Sequence, residues 1–197
     1  MRAVQVKIYL PECVFRLCIW ITLRYRKIRY GYAFRRIPLT QGKYAIVDPE
    51  RYEELAKHKW FAARSERGLY AVRVVKAEKG SRARRKTVRM HQVVLRPPKG
   101  KFIDHINHNS LDNRLANLRV VTNQQNTWNA RKRRHNCTSR YKGVHWSKTK
   151  KKWRAMITCN DRLIFIGDFD REKAAAMAYD AKARELFGDY ASLNMPP

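Results

Sequence analysis

The stretch from Tyr141 to Gly188 leaves the chain little choice of fold. Three short segments, Tyr141–Trp146, Trp153–Thr158 and Leu163–Phe169, are joined by SKTKKK and by a Cys159-Asn160-Asp161 turn. Along the second, Trp153, Ala155 and Ile157 alternate with Arg154, Met156 and Thr158. That period of two is what a sheet with one covered face requires, and it gives Trp153 a core role. Asp170 reads as the cap of a helix over REKAAAMAYDAKARELF, which Gly188 stops. Ala174, Met177, Ala178 and Ala181 fall on one face of that helix, small enough to lie close on the sheet. The pattern predicts a three-stranded antiparallel sheet packed on one helix, its other face open and basic.

A second region carries the chemistry. Residues 102–126 read FIDHINHNSLDNRLANLRVVTNQQN. The Asp104 carboxylate and the Asn126 carboxamide are oxygen donors suited to a hard divalent ion such as Mg²⁺ or Mn²⁺. His105, beside Asp104, is of the type that takes a proton from water near neutral pH. Neighbours on a strand point to opposite faces, so both meet one phosphate only at a turn or over a strand end. An Asp-His pair alone also occurs as a packing or turn feature, and spacing does not separate the two.

Around that run, Thr122 with Gln125 three residues on predicts a capping box and a helix through about Arg133, with Asn126 in its first turn. Asn113, in a turn-rich stretch, reads as structural. His91 reads as packed, and His108 as solvated or touching nucleic acid. Asp48-Pro49-Glu50 predicts a helix start, continued through Leu55, Lys59 and Trp60 with Tyr52, Leu55 and Trp60 near the core. Leu69–Val75 and Thr87–Leu95 alternate as strands about the basic loop KGSRARRK. Residues 1–36 are apolar and basic without period; they predict no particular fold, a strand or two at most, or an extension. The cations of RKRRHN at 131–136 suit a helix end or a grip on phosphates.

Charge narrows the partners. With 44 Lys and Arg against 16 Asp and Glu, the formal net charge is +28, spread along the chain, which points to nucleic acid. DNA and RNA are not separated by charge. Four cysteines (Cys13, Cys18, Cys137, Cys159) have no zinc spacing and suit a reducing compartment. The apolar run from Val14 to Leu23 is interrupted by Arg16 and too short to span a bilayer, so a soluble chain is expected.

The run MHQVVLRPPKGKFIDHINHNSLDNRLANLRVVTNQQN, Met90 to Asn126, resembles the phage and intron-encoded branch of the HNH homing endonucleases. The resemblance implies a ββα-metal unit that cuts DNA. By position it makes Asp104 and Asn126 the metal ligands, His105 the general base and Asn117 the residue that orients it. Asn126 stands where many relatives have His, which favours one Mg²⁺ or Mn²⁺ over zinc. From Ser139 to Asn194, RYKGVHW, KWRAMI, FIGDF, AYDAKA and FGDYASLN resemble the plant ethylene-response-factor DNA-binding domain. There the sheet enters the major groove, which by position sets Lys142, His145, Ser147, Arg154, Thr158 and Arg162 towards DNA. Several family arginines are replaced, by Lys142, His145 and Ser147 among others, and Phe165 stands for a tryptophan, so base preference does not transfer.

The expectation is an α+β chain. It has a basic extension at 1–36, a nuclease domain at 37–134 and a DNA-binding domain at 135–197, with Arg131, Arg133 and Arg134 as further phosphate contacts. The expected partner is double-stranded DNA, with no membrane association and a monomer that nicks. The setting is the cytoplasm of a bacterial or phage-infected cell, at the nucleoid. The alternative is a DNA-binding regulator in which the nuclease unit is only a scaffold.

Overall fold

The computed structural model describes residues 11–65, 68–76, 84–132 and 137–195. Packing divides the chain into two units, Met1–Arg96 with His105–Arg119, and Pro97–Asp104 with Val120–Pro197.

The first unit begins with helix α1, Glu12–Tyr30, which ends at Gly31 in the left-handed conformation with its N–H on the Lys27 carbonyl. It lies in the stretch for which the sequence predicts no particular fold. No glycine or proline interrupts 12–30, and no side chain of the helix is buried, which explains why its apolar residues show no period. Strands β1 (Arg35–Pro38) and β2 (Tyr44–Val47) form a hairpin, buried through Ile37, Ala45 and Val47. A 3₁₀ turn over Pro49–Arg51 leads into α2, Tyr52–Ala56. This helix ends earlier than expected. Trp60 lies beyond it, buried, and its indole N–H donates to the Leu55 carbonyl at 2.8 Å. Three antiparallel strands follow, β3 (Phe61–Ser65), β4 (Gly68–Lys76) and β5 (Arg85–Arg89). The Thr87–Leu95 stretch is only half strand: Met90–Val94 forms the short helix α3, which buries Met90, His91 and Val94 on one side. Alternation in so short a run fits either structure.

Strands β6 (Phe102–His105) and β7 (Leu118–Val121) pair, and α4 (Asn123–Asn129) follows, a ββα succession. The capping box is formed: Thr122 Oγ1 accepts from Gln125 N at 3.2 Å, and Thr122 N donates to Gln125 Oε1 at 2.9 Å. The helix ends at Asn129, short of the expected Arg133.

In the second unit, β8 (Val144–Ser147), β9 (Lys152–Cys159) and β10 (Arg162–Phe169) form the predicted antiparallel sheet, ordered β10-β9-β8, packed on α5 (Glu172–Phe187). The helix face differs from expectation. Ala175, Ala176, Tyr179, Ala183 and Phe187 are buried, whereas Met177 is exposed. The helix takes Arg171 rather than Asp170 as its N-cap. An alanine run presents small side chains all round, so composition alone does not orient it. Trp153 packs on the Val144, Ala155, Ala175, Ala176 cluster, as its alternation with Arg154 requires.

Gly143, at φ +72°, lets the chain cross α5 before β8. A Cβ there would lie inside contact distance of two Tyr179 ring carbons and 2.5 Å from the Met156 carbonyl oxygen.

Candidate active site

Asp104 and His105 are consecutive on β6 and both buried. Each belongs to a different cluster.

In the second unit, Asp104 meets α4. Asn129, buried at the end of that helix, donates its Nδ2 to both carboxylate oxygens, at 2.9 and 2.8 Å. Asn126 lies one turn earlier on α4 and is half-buried. Sequence reasoning alone misses Asn129. Its signal was its i, i+3 spacing from Asn126, which puts both carboxamides on one helix face. A carboxylate and a carboxamide form an all-oxygen donor set, and no group of three His, Cys, Asp or Glu among the described residues could hold an ion alone. Such a set suits a hard cation that keeps several waters and takes further oxygens from phosphate. The donor chemistry of Asp104 and Asn126 is therefore of the kind a hard divalent cation takes.

In the first unit, His105 packs edge-on against His91, ring centroids 5.1 Å apart, with Tyr70 at 6.3 Å from His105 and 5.6 Å from His91. Burial first, then the nearby His105 and Arg89, push His91 down to about 3, so it stays neutral at working pH. The packed reading of His91 fits this.

The loop after His105 is braced by the LDNR residues. Asp112 is fully buried and held by Arg114, Nε to Oδ1 at 2.8 Å and Nη2 to Oδ2 at 2.6 Å. The guanidinium lies 3.4 Å from the Tyr32 ring centroid. The hydrogen bond to Asp112 raises Arg114 above its ordinary value, so the guanidinium stays charged. Asn113 N donates to the Ile46 carbonyl at 2.7 Å, docking the loop on the edge of β2. Asn117 is buried and works on the same loop. Its Oδ1 accepts from Asn107 N at 3.0 Å, its Nδ2 donates to the Asp112 carbonyl at 2.8 Å, and its carbonyl accepts from Ile106 N at 2.9 Å. The segment leaving His105 is thus tied to Asn117 at three points. His108, half-buried, turns this loop at φ +59°.

The residues expected on DNA separate into three groups. His145, Thr158 and Arg162 are exposed, as is Arg131 on the segment after α4. Arg154 holds Asp168 in a two-point ion pair at 2.8 and 2.9 Å and lies 5.1 Å from the exposed Phe165 ring. Those hydrogen bonds keep the Asp168 carboxyl below its ordinary value. Ser147 is buried and accepts from Lys150 N at 3.3 Å, closing the strand turn. Lys142 gives its ammonium to the carbonyls of Trp128 and Ala130 at 2.6 and 2.8 Å. Arg133 and Arg134, like residues 79–83 of the basic loop, lie outside the described residues.

Asp104 and His105 thus end the first of two paired strands that α4 follows in the chain, and Asn126 and Asn129 lie on α4. The HNH endonuclease family model matches residues 96–128. Protein 3.8 of Escherichia phage T7 is 37% identical over 94 residues, 48% of this chain and 76% of that protein. An HNH endonuclease of Acanthamoeba polyphaga mimivirus is 29% identical over 154 residues, 78% of this chain and 76% of its own. Dehydration-responsive element-binding protein 2D of Arabidopsis thaliana is 43% identical over 63 residues, 31% of this chain and 30% of that protein. No solved structure shows a significant match. The chain belongs to the HNH endonuclease family.

Proposed function

We propose that the protein is a divalent-metal-dependent DNA endonuclease of the homing type, which nicks duplex DNA and is directed to it by its C-terminal sheet. The observation that carries this is the pairing of a buried, doubly hydrogen-bonded Asp104 with a helix bearing Asn126, immediately before His105 in the chain. Family membership supports the nuclease reading, and the similarity to a plant element-binding protein supports DNA as the partner. By function the nuclease part runs over 37–134 and the targeting part over 135–197, with 1–36 as an extension.

Asp104 and Asn126 would hold the ion, Mg²⁺ or Mn²⁺, which when bound supplies positive charge at the scissile phosphate. Asn129 keeps the Asp104 carboxylate in one orientation by engaging both its oxygens. His105 accepts the proton of the attacking water. Asn117 sets the backbone that leaves His105, and so fixes the imidazole's position without touching substrate. One such centre per chain breaks one strand, so a monomer nicks. His145, Arg154, Thr158 and Arg162 on the sheet, with Arg131, Arg133 and Arg134 on the linker, meet the duplex. The site of action is the DNA of an infected cell.

The test is relaxation of supercoiled plasmid in Mg²⁺. The wild type yields open circles, and Asp104→Ala or EDTA abolishes them while duplex binding persists. Binding without nicking over a range of divalent ions and target libraries would instead make the chain a DNA-binding regulator.

A further inference from the structure

Helix α4 is seven residues long, too short to hold its shape or place alone. Yet it carries Asn126 and the Asn129 that orients Asp104. What fixes it lies in the C-terminal half of the same packed unit. The Trp128 ring stacks on Phe187 of α5, centroids 4.6 Å apart and planes within 12°. Phe187 is itself buried with Ile157, Tyr179 and Ala183. Gln124 Nε2 donates to Asn160 Oδ1 in the β9–β10 turn at 2.8 Å. Lys142 Nζ binds the carbonyls of Trp128 and Ala130, placing a cation at the negative end of the helix.

Lys142 is held in turn. Its N–H donates to Asn194 Oδ1 at 2.6 Å, and Asn194 Nδ2 donates to its carbonyl at 3.1 Å. Asn194 N donates to Oδ1 of the buried Asp180 on α5 at 2.8 Å. Hydrogen bonds therefore run from α5 through Asn194 and Lys142 to the carbonyls of Trp128 and Ala130, and Asn129, the residue between those two, holds Asp104.

We infer that Lys142 and Trp128 are positioning residues of the nuclease centre, and that the C-terminal sheet and helix are the scaffold on which its metal-ligand helix is set. This deepens the proposed function and rests on Asp104 and Asn126 being the metal ligands. The lysine that resembles a DNA contact by position serves the cleavage centre instead. Removing the C-terminal part would then disable metal binding as well as targeting.

The experiment titrates Mn²⁺ into the full-length chain and follows free ion by electron paramagnetic resonance. Nicking rate and duplex affinity in EDTA are measured beside it. The variants are Asp104→Ala, Lys142→Met, Lys142→Arg and Trp128→Leu, each checked for an intact thermal transition. Asp104→Ala loses Mn²⁺ binding. Lys142→Met and Trp128→Leu weaken it about tenfold, in the range of other outer residues that orient metal ligands. They lower kcat with KM held, and duplex affinity stays within about threefold at fixed salt. Lys142→Arg, which can still reach both carbonyls, restores most of the loss.

Mn²⁺ affinity equal to wild type in Lys142→Met and Trp128→Leu, with Asp104→Ala still defective, overturns the positioning role alone. So does a nicking loss in Lys142→Met matched by an equal loss of duplex affinity, which makes Lys142 a DNA contact. Mn²⁺ binding by Asp104→Ala equal to wild type overturns the metal-site reading and the inference with it.

Discussion

Replacing Gly143 by alanine tests the packing of the C-terminal unit at one atom. The residue sits at φ +72°, a conformation in which a Cβ costs about 1–2 kcal/mol by its clash with the following carbonyl. The new methyl also meets the ring of Tyr179, which is 3% exposed, and the backbone oxygen of Met156 at 2.5 Å. Neither is the free end of a flexible side chain. Forcing atoms into a packed site adds about 1–3 kcal/mol. The two costs together are about 2–5 kcal/mol. For a unit of this size each kcal/mol moves the melting temperature by about 4–8 °C, so a fall of about 10 °C or more is expected. Circular dichroism on heating reads it, with urea unfolding at 25 °C as the second measure. A fall under about 4 °C would show that the chain slides off α5 without cost, and would refute the close approach.

Asn129→Ala leaves the buried Asp104 carboxylate short of its two-point donor. It should cost about 1–3 kcal/mol of stability in urea unfolding, with a tenfold to hundredfold loss of Mn²⁺ affinity. Neutral burial of His91 makes stability depend on pH. The unfolded histidine titrates near 6.5 and the folded one at about 3, so below about pH 6.5 the unfolded state binds a proton that the folded state refuses. Stability is then lost as pH falls from 6.5 towards 3, by up to about 1.4 kcal/mol per pH unit. Urea titrations at pH 7 and pH 5 should differ by about 2 kcal/mol, and His91→Leu should remove that difference. Arg162, exposed at the start of β10, should contribute one phosphate contact. Arg162→Ala is expected to weaken duplex binding equally across sequences and to reduce the salt slope by about one; an unchanged slope rules the contact out.

The parts of the fold that could be read from sequence share a cause: strong local signals that burial then reinforced. Alternation along Trp153–Thr158 gave the central strand its face, and Thr122 with Gln125 gave α4 its start. The end of α4 was not legible. There the Lys142 ammonium meets the Trp128 carbonyl and the Trp128 ring stacks on Phe187, contacts that no local pattern announces. The buried face of α5 differs from the predicted one for a related reason: in an alanine run, only the large Tyr179 and Phe187 mark which side is covered. Strands β1, β2 and β3 are four or five residues each, below the length at which period separates a strand from a loop. Helix α1 lacks a covered face, so no period could announce it.

At the site, residue chemistry and the family resemblance both point to Asp104, His105 and Asn126, and the resemblance alone points to Asn117. Neither points to their contacts. His91 reads as packed from sequence, but its contact with His105 spans 14 positions and that of Asn129 with Asp104 spans 25, and no local pattern encodes such pairs. Lys142 shows the opposite limit. Its position suggested DNA, whereas the carbonyls at the end of α4 claim its ammonium.

The most direct test of the account is single-turnover cleavage of a prebound duplex target in Mg²⁺ by wild type and His105→Ala. The account predicts nicked product from the wild type and a rate about 10²- to 10⁴-fold lower from the variant, as loss of a general base requires. Equal duplex affinity and an intact fold should accompany that loss. Nicking by His105→Ala at the wild-type rate would contradict the assignment of the centre.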